Sequence, residues 1–241
     1  MPGSATVCAA DMGQLPQQSP AHGDGCAFDH GFVHLHRNRL RAVAGGGAGH
    51  GGLHDEEGGR EQAVIALLRS IKEDPLREGL KGTPGRVNRA YDEIFAGYGK
   101  TASDVLTTSF ASEAYDEMVI LKDIEFYSMC EHHILPFYGR VAFAYIPDGK
   151  VVGVSKISRL IEIYSRRLQI QERMTMQIGK EFEGVMSPKG VAVVVEGVHL
   201  CMLMRGVKKE NATMITSYMG GIFREKIEAR NEFLALIKKE K

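Results

Sequence analysis

Outside the first 60 residues, the cysteines and histidines of the chain all fall in two short segments. One is residues 130–133, Cys-Glu-His-His, and the other is residues 199–201, His-Leu-Cys. Thiolate and imidazole groups together are the ligands that zinc prefers. A single strand cysteine is most often a small core residue, and a single surface histidine is most often solvated. Because every such side chain of this region is gathered in two clusters, the sequence predicts a zinc site.

The spacing within each segment suits a shared ion. Cys130 and His133 are three residues apart, so one turn of backbone can direct both side chains at the same metal. Residues 191–205 are predicted to form one long strand that carries the second segment. On such a strand its histidine and cysteine, two residues apart, share a face, and Arg205 lies on that face as well. The pattern therefore predicts ligands from two separate elements that converge on one point.

The number of ligands distinguishes a structural metal from a catalytic one. Structural zinc sites usually have four protein ligands, whereas catalytic sites have three and keep one position open. If His132 and His199 have other roles, three ligands remain, which are Cys130, His133 and Cys201. Three ligands favour catalysis, in which zinc activates a water molecule. The spacing alone leaves His132 or His199 open as a fourth ligand.

Two pairs of basic residues would suit an anionic substrate. Arg86 and Arg89 share a face of one predicted helix, and Lys156 and Arg159 repeat that spacing in another helix, just after Ser155. Any one such pair is more commonly a solvated helix face. The chain has no G-x-x-x-x-G-K-[ST] loop, so side chains would have to bind any nucleotide phosphates.

Glu172 is a candidate acceptor for the edge of a purine base. A carboxylate can accept two N–H bonds from N1 and the 2-amino group of guanine, an arrangement that adenine does not offer. Taken by itself, Glu172 is also an ordinary acidic residue in the first turn of a helix, where the helix dipole favours it. Glu172 therefore indicates guanine binding only in combination with the metal ligands and the basic pairs.

Alternating helical and strand periodicities define the elements that must position these side chains. Thr83-Pro84 is typical of an N-cap followed by proline at the first helical position, and Asp148-Gly149 predicts a hairpin turn. The predicted elements are helices at about 61–71, 84–95, 155–164, 171–182 and 223–239, and strands at 117–125, 139–146, 151–154 and 191–205. They indicate an α+β fold with an antiparallel sheet and helices packed on one face.

The first 60 residues differ from the rest of the chain. They hold 13 of its 28 glycines and show no sustained apolar period, so residues 1–60 are predicted to be a disordered extension. A G-x-G-x-x-G match at 47–52 has no flanking strand or helix pattern and is attributed to chance. Residues 61–241 are predicted to form one domain, with N-terminal helices at 61–100 and a core at 115–241.

Composition excludes several classes of protein. Lys+Arg and Asp+Glu balance at 30 each, which leaves no global basic excess for a nucleic-acid partner. No apolar run is long enough to span a bilayer, and the N-terminus has no pattern of a secretory signal. Four cysteines do not make a disulfide scaffold in a chain of 241 residues. We therefore expect a cytoplasmic protein that binds neither nucleic acid nor membrane.

From about residue 61 to the C-terminus, the chain closely resembles the GTP cyclohydrolase I family. Five motifs carry the resemblance, and each of them alone is only moderately specific. They are Thr83-Pro84-Gly85-Arg86-Val87, Cys130-Glu131-His132-His133, Gly153-Val154-Ser155-Lys156-Ile157-Ser158-Arg159, Gln169-Ile170-Gln171-Glu172-Arg173 and Val198-His199-Leu200-Cys201-Met202. All five in this order at family-like spacing are highly specific. The extension at 1–60 has no counterpart in the pattern.

The resemblance implies the tunnelling fold, in which subunits join antiparallel sheets around a central barrel. It also implies a toroidal homodecamer of two pentamers, with active sites at subunit interfaces and zinc held by Cys130, His133 and Cys201. The substrate implied is GTP, whose guanine would be anchored by Glu172 with Gln171 beside it. Five basic residues would meet the triphosphate, namely Arg86, Arg89, Lys156, Arg159 and Arg205. Arg89 stands where some relatives have lysine, which keeps the charge but can change the geometry.

The reaction implied is hydrolytic opening of the guanine imidazole ring. It gives formate and 7,8-dihydroneopterin triphosphate, the first step towards tetrahydrofolate and other pterins. Water activated by zinc would attack C8 while His199 protonates N7, and His132 and Ser155 would move protons at the sugar. Histidine suits these steps because its unperturbed pKa lies close to neutral pH.

Two other interpretations compete with this one. The first is a different tunnelling-fold enzyme acting on a purine or pterin, such as a nitrile reductase of the queuosine pathway. That chemistry uses a nucleophilic cysteine without zinc, and the two Cys/His segments argue against it. The second is a non-catalytic protein with a structural zinc that binds nucleotides or a partner. Neither alternative explains why Glu172 and the basic pairs accompany the metal ligands.

Overall fold

The computed structural model describes residues 58–112 and 115–238. The elements, in chain order, are α1 (Gly59–Ser70), α2 (Thr83–Ile94), α3 (Ala102–Val105), β1 (Ser109–Ala111), β2 (Val119–Cys130), β3 (Leu135–Ile146), β4 (Lys150–Val152), α4 (Val154–Ser165), β5 (Leu168–Gln169), α5 (Gln171–Met186), β6 (Gly190–His199), α6 (Leu200–Leu203), β7 (Met214–Gly221), α7 (Ile222–Glu225) and α8 (Ile227–Ile237). Residues 1–57 of the extension predicted at 1–60 lie outside the described residues.

The main sheet has five strands in the order β5-β2-β3-β6-β7. Its neighbours are antiparallel, apart from the two-residue β5, which runs parallel to β2. Strands β1 and β4 form a separate antiparallel pair. This arrangement confirms the predicted α+β class, because helices and mainly antiparallel strands occur in one domain.

The first face of the main sheet is covered by α4 and α5. In helix α4, Ile157, Leu160, Ile161 and Tyr164 recur at helical spacing, which predicts that they share one side, and all four are buried. Helix α5 places Phe182 against Phe143 and Tyr145 of β3, with ring centroids 4.9 and 5.1 Å apart. These contacts form the larger hydrophobic core and fix both helices on the sheet.

The second face is also covered in part by helices, which corrects the expectation of helices on one face only. Val191, Val193 and Val195 belong to the core under α4 and α5, whereas the alternate strand residues Ala192 and Val194 pack in a second cluster. That cluster includes Phe223 of α7 and Phe233 of α8. Since alternate strand residues point to opposite faces, α7 and α8 lie on the far side of the sheet.

The predicted hairpin between β3 and residues 151–154 is wrong, although the chain does turn there. Gly149 adopts a left-handed backbone conformation with φ 71°, as the turn requires. Both edges of β3 are already paired, with β2 and with β6, so β4 pairs with β1 instead. The phenol of Tyr145 accepts a hydrogen bond from the Val152 N–H at 3.1 Å, which holds β4 close to β3.

The single strand predicted for residues 191–205 is also wrong, because β6 ends at His199 and α6 follows. The β3–β6 ladder closes with Phe137 opposite His199. A further rung would place Leu200 opposite Pro136, which has no N–H to donate. Cys201 therefore lies on a short helix. His199 and Cys201 do not share a strand face, contrary to the prediction.

Smaller differences concern the element ends and three strands that were not predicted, β1, β5 and β7. Helix α2 has Gly82 as its N-cap, so Thr83 is the first helical residue and not the cap. Strand β7 was not predicted, and the final helix is broken at Lys226, whose backbone is extended. Among the described residues, no helix combines the length and the apolar character that a membrane span requires.

Candidate metal centre and its surroundings

Three elements begin or end at the same end of the main sheet. Strand β2 ends at Cys130, β6 ends at His199, and α5 begins at Gln171 directly after β5. The pairing register joins them, because Cys130 lies opposite Gln169 of β5 and His199 lies opposite Phe137, near the start of β3. The two Cys/His segments are therefore brought together by strand pairing.

The side chains of Cys130, His133 and Cys201 form a compact group, here named the metal group. Their candidate ligand atoms all lie within 4.8 Å of one another, and the Cys130 sulfur is 3.9 Å from His133 Nδ1. Tetrahedral zinc with ordinary Zn–S and Zn–N bond lengths would hold such atoms about 3.6–3.8 Å apart. Two sulfurs and one imidazole nitrogen at this spacing fit zinc well, with little rearrangement.

The turn that carries Cys130 and His133 is tightly closed. The Ile134 N–H donates to the Cys130 carbonyl at 2.8 Å, and Ile134 has a left-handed backbone with φ 50°. Cys130 is buried, Cys201 is half-buried and His133 is exposed, so one side of the group faces solvent. Such an arrangement leaves room for a non-protein ligand on the exposed side.

Burial raises the pKa of the Cys201 thiol, and the neighbouring Cys130 raises it further. Arg205 acts in the opposite direction. Two sulfurs this close do not readily ionise together in a partly buried site. A divalent cation between them would remove that repulsion, since metal ions bind thiolates and displace their protons.

His132 and Arg205 flank the ligand group. His132 is exposed, and its Nδ1 lies 3.9 Å from the Cys130 sulfur. The guanidinium of Arg205 lies 2.8 Å from His133 Nε2, on the opposite side of the ring from the nitrogen that faces Cys130. The short helix α6 thus brings Arg205 to the metal group, although the strand expected to place it there ends earlier. His132 and His199 do not belong to the three-residue group.

His199 lies beside this group in a defined orientation. Its ring stacks on Phe137 with centroids 4.5 Å apart and planes at 4°, and its Nε2 is 2.9 Å from Gln171 Oε1. Burial lowers the pKa of His199, and the negative charge of Glu172 partly opposes this effect. Gln171 is buried, whereas Glu172 is exposed at the first turn of α5. Of the two residues expected beside a base, Glu172 is thus exposed and Gln171 is enclosed by protein.

The remaining predicted residues lie on two helices. Ser155 and Arg159 of α4 are exposed, and Lys156 donates to the Thr107 hydroxyl at 3.3 Å. On α2, Arg89 is exposed and Arg86 donates to the Thr83 hydroxyl at 2.8 Å, within its own helix. Within the described part of the chain, no hydrogen bond joins these residues to the metal group.

A salt bridge that no sequence pattern predicted supports the turn formed by residues 130–134, here named the metal turn. Both nitrogens at the tip of Arg173 reach the carboxylate of Glu131, which lies between Cys130 and His132. Arg173 also donates from Nε to Gln169 Oε1 at 3.1 Å. The hydrogen bond and charge of Arg173 hold the pKa of the Glu131 carboxyl below its usual range. Glu131 and Arg173 both lie within the sequence motifs, but they are 42 residues apart, so no local pattern pairs them.

Comparisons with known sequences identify one family. The family model described as GTP cyclohydrolase I matches residues 60–238. A protein of Chlorobium chlorochromatii named GTP cyclohydrolase 1 is 51% identical over 179 residues, covering 74% of this chain and 80% of its own. Proteins of the same name from Wolinella succinogenes and Rattus norvegicus are 47% and 51% identical. They cover 77% and 73% of this chain, and 100% and 73% of their own lengths.

The salt bridge behind the metal turn gives a testable prediction. Arg173→Met keeps the apolar stem but leaves the Glu131 carboxylate without its partner. Because outer groups that orient metal ligands typically affect affinity 10- to 100-fold, we expect zinc affinity to fall by about that factor. Competition with a chromophoric chelator measures it.

Arg166→Met is the matched control, since Arg166 is also half-buried and contacts two carboxylates, those of Glu93 and Glu162. Its zinc affinity should stay close to that of the unchanged protein. Equal affinities in all three proteins would contradict a role for Arg173 in orienting the ligands.

Proposed function

The chain belongs to the GTP cyclohydrolase I family, and on that premise we propose that it opens the guanine imidazole ring of GTP by hydrolysis. The products are formate and 7,8-dihydroneopterin triphosphate, and the reaction begins the route to tetrahydrofolate and other pterins. The observation that carries the proposal is the group formed by Cys130, His133 and Cys201. Two segments far apart in sequence supply the ligand types of a hydrolytic metal, beside a fixed histidine.

Zinc is the metal proposed for this group. The two thiols and one imidazole match its ligand preference, and their spacing matches its bond lengths. Three protein ligands leave a coordination position open. Zinc held there would act as a Lewis acid and make a water molecule nucleophilic near neutral pH. Cys130, His133 and Cys201 would hold the metal, and Glu131 with Arg173 would keep the turn in place.

His199 is proposed as the proton donor for N7 of the guanine. A proton at N7 makes C8 more electrophilic, which favours the addition of water at that carbon. The ring is fixed by Phe137 and Gln171, so it requires little reorganisation when it acts. His132 and Ser155, both exposed, are proposed to move protons during the later rearrangement of the sugar.

Substrate binding is assigned to charged groups other than the metal ligands. Glu172 would accept hydrogen bonds from guanine N1 and the 2-amino group, and its charge acts on His199, which supports its closeness to the reacting ring. The triphosphate would be held by Arg86, Arg89, Lys156, Arg159 and Arg205. A triphosphate carries several negative charges, and several Arg and Lys side chains are needed to offset them in the absence of a P-loop.

An oligomer is proposed because one chain leaves a large apolar surface uncovered. Helix α1 has no buried residue, and three large apolar side chains on and after it, Leu67, Ile71 and Leu76, are between 62% and 77% exposed. Strand β7 is an edge strand whose Ile215 is 64% exposed. Monomeric proteins rarely leave such surfaces uncovered. A toroidal decamer of two pentamers, with active sites between subunits, would cover them and bring Arg86 and Arg89 of one subunit to another.

The function itself is tested by incubating the zinc-loaded protein with GTP and measuring formate together with pterin fluorescence after oxidation. Equal amounts of both products are expected, because one C8 atom leaves for each pterin formed. Cys201→Ala should lose bound zinc and both products together. Formate without pterin would exclude the proposed sugar chemistry, and neither product from folded, zinc-loaded protein would exclude the reaction.

Recognition of guanine gives a second prediction. Glu172→Ala should raise the KM for GTP about 10-fold or more with zinc content unchanged, since a hydrogen bond to a charged group contributes about 1.5–3 kcal/mol. Inosine triphosphate lacks the 2-amino group, so the variant should discriminate less between GTP and this analogue. Glu181→Ala, an exposed position on the same helix, is the control. An unchanged ratio of the two KM values in Glu172→Ala would rule out the contact to the 2-amino group.

The oligomer is checked by sedimentation velocity of the intact chain. A decamer should sediment with about ten times the 26.5 kDa mass of one chain. Ile215→Glu should shift the distribution to smaller species, because it places a charge on the exposed edge strand. Val185→Glu, at a less exposed apolar residue on α5, should leave the distribution unchanged. A single-chain mass for the unaltered protein would refute the assembly.

A further inference from the structure

The side-chain amide of Gln171 is enclosed between α5, β6 and β7. Gln171 is only 1% exposed. Its Nε2 lies 3.1 Å from the Val195 carbonyl oxygen, 3.0 Å from the Met214 carbonyl oxygen and 3.2 Å from Thr216 Oγ1. Its Oε1 lies 2.9 Å from Nε2 of His199. Every polar atom of this side chain therefore has partners within the protein.

These partners determine which way round the amide must be. The two carbonyl oxygens can only accept hydrogen bonds. The Thr175 hydroxyl donates to the Gln171 main-chain carbonyl at 2.7 Å, so its only hydrogen is used there. The Thr216 hydroxyl, 2.7 Å from Thr175 Oγ1, must then donate to that oxygen. All three groups around this end of the amide are thus acceptors, and the NH₂ group of Gln171 must face them.

The orientation of the amide fixes the hydrogen on the imidazole. A carbonyl oxygen faces His199 Nε2, and it can only accept, so Nε2 must carry a hydrogen. In the neutral ring Nδ1 is then the nitrogen with the free lone pair. We propose that Gln171 is a positioning residue that keeps neutral His199 in the Nε2–H tautomer, so that Nδ1 is the atom that exchanges a proton with the substrate.

This inference rests on the proposed function, in which His199 protonates guanine N7. In that step the Nδ1–H bond of the doubly protonated ring breaks and a new N–H bond forms at N7. The electron pair of the broken bond stays on Nδ1. The ring returns to the neutral Nε2–H tautomer that Gln171 stabilises, and it does so without moving its hydrogen bond to Gln171.

Phe137 and Gly197 leave the side chains of Gln171 and His199 little freedom to move. Phe137 stacks on the imidazole, with ring planes 4° apart, and so resists rotation of the ring. A Cβ atom added at Gly197 would lie 2.4 Å from Gln171 Oε1, which means that the amide occupies the space of a side chain there. Both amide hydrogens of Gln171 are committed to protein acceptors, so the contacts favour a positioning role for this residue over direct recognition of guanine.

The tautomer is measured directly by solid-state NMR of the zinc-loaded protein labelled with [15N]histidine. The His199 signals are identified by their loss in His199→Asn. We expect a hydrogen on Nε2 and none on Nδ1 of the neutral ring in the unaltered protein. In Gln171→Met this preference should be lost, whereas Gln177→Met, the same change on the same helix, should keep it. A hydrogen on Nδ1 in the unaltered protein would overturn the inference whatever the variants do.

Kinetics separates positioning from substrate recognition. Gln171→Met should lower kcat about 10- to 100-fold, as expected when a general acid is misplaced, with the KM for GTP changed less than about threefold. A raised KM with unchanged kcat would mean that Gln171 contacts the base and would overturn the positioning role. Absence of formate from the unaltered protein, with the hydrogen found on Nε2, would instead overturn the proposed function.

Discussion

The register of β3 with its two neighbours determines where every metal ligand lies. Pairing with β2 ends where Cys130 meets Leu135, and pairing with β6 ends where Phe137 meets His199. A shift of one residue in either ladder would turn the side chains to the opposite face. The core under α4 and α5 holds β3 in place, because Phe143 and Tyr145 pack against Phe182. Packing in this core and the register of the strands together position the metal group.

The Cys/His group has the chemistry to hold a cation. Two sulfurs lie close together in a partly buried place, and the nearest ion pair, Glu131 with Arg173, is internally neutral. A metal ion held there would need no nearby carboxylate to balance it, since the thiolates would supply the charge. Polar contacts are instead used for orientation, as with Gln171 behind His199 and Arg173 behind Glu131. Orientation of this kind has value only if the supporting groups are themselves fixed.

The sequence was sufficient for features that depend on residue type and local period. The amphipathic spacing in α4 predicted its buried face, and the gathering of cysteine and histidine in two segments predicted the members of the metal group. It was not sufficient where distant residues compete. The end of β6 depends on Pro136, which lies on another strand, and the partner of β4 depends on both edges of β3 being paired already. The salt bridge of Arg173 and the buried amide of Gln171 likewise depend on pairings that no local pattern contains.

The split of the metal ligands between β2 and α6 has a consequence for how the protein is made. Cys130 and His133 leave the ribosome well before Cys201, and the three meet only after β6 has paired with β3. A nascent chain therefore carries an incomplete ligand set for much of its synthesis. A metal ion bound there would favour chains that have closed this long loop, because an ion that binds the folded state alone shifts the equilibrium by mass action. Such an ion would act as a check on completed folding as well as a participant in chemistry.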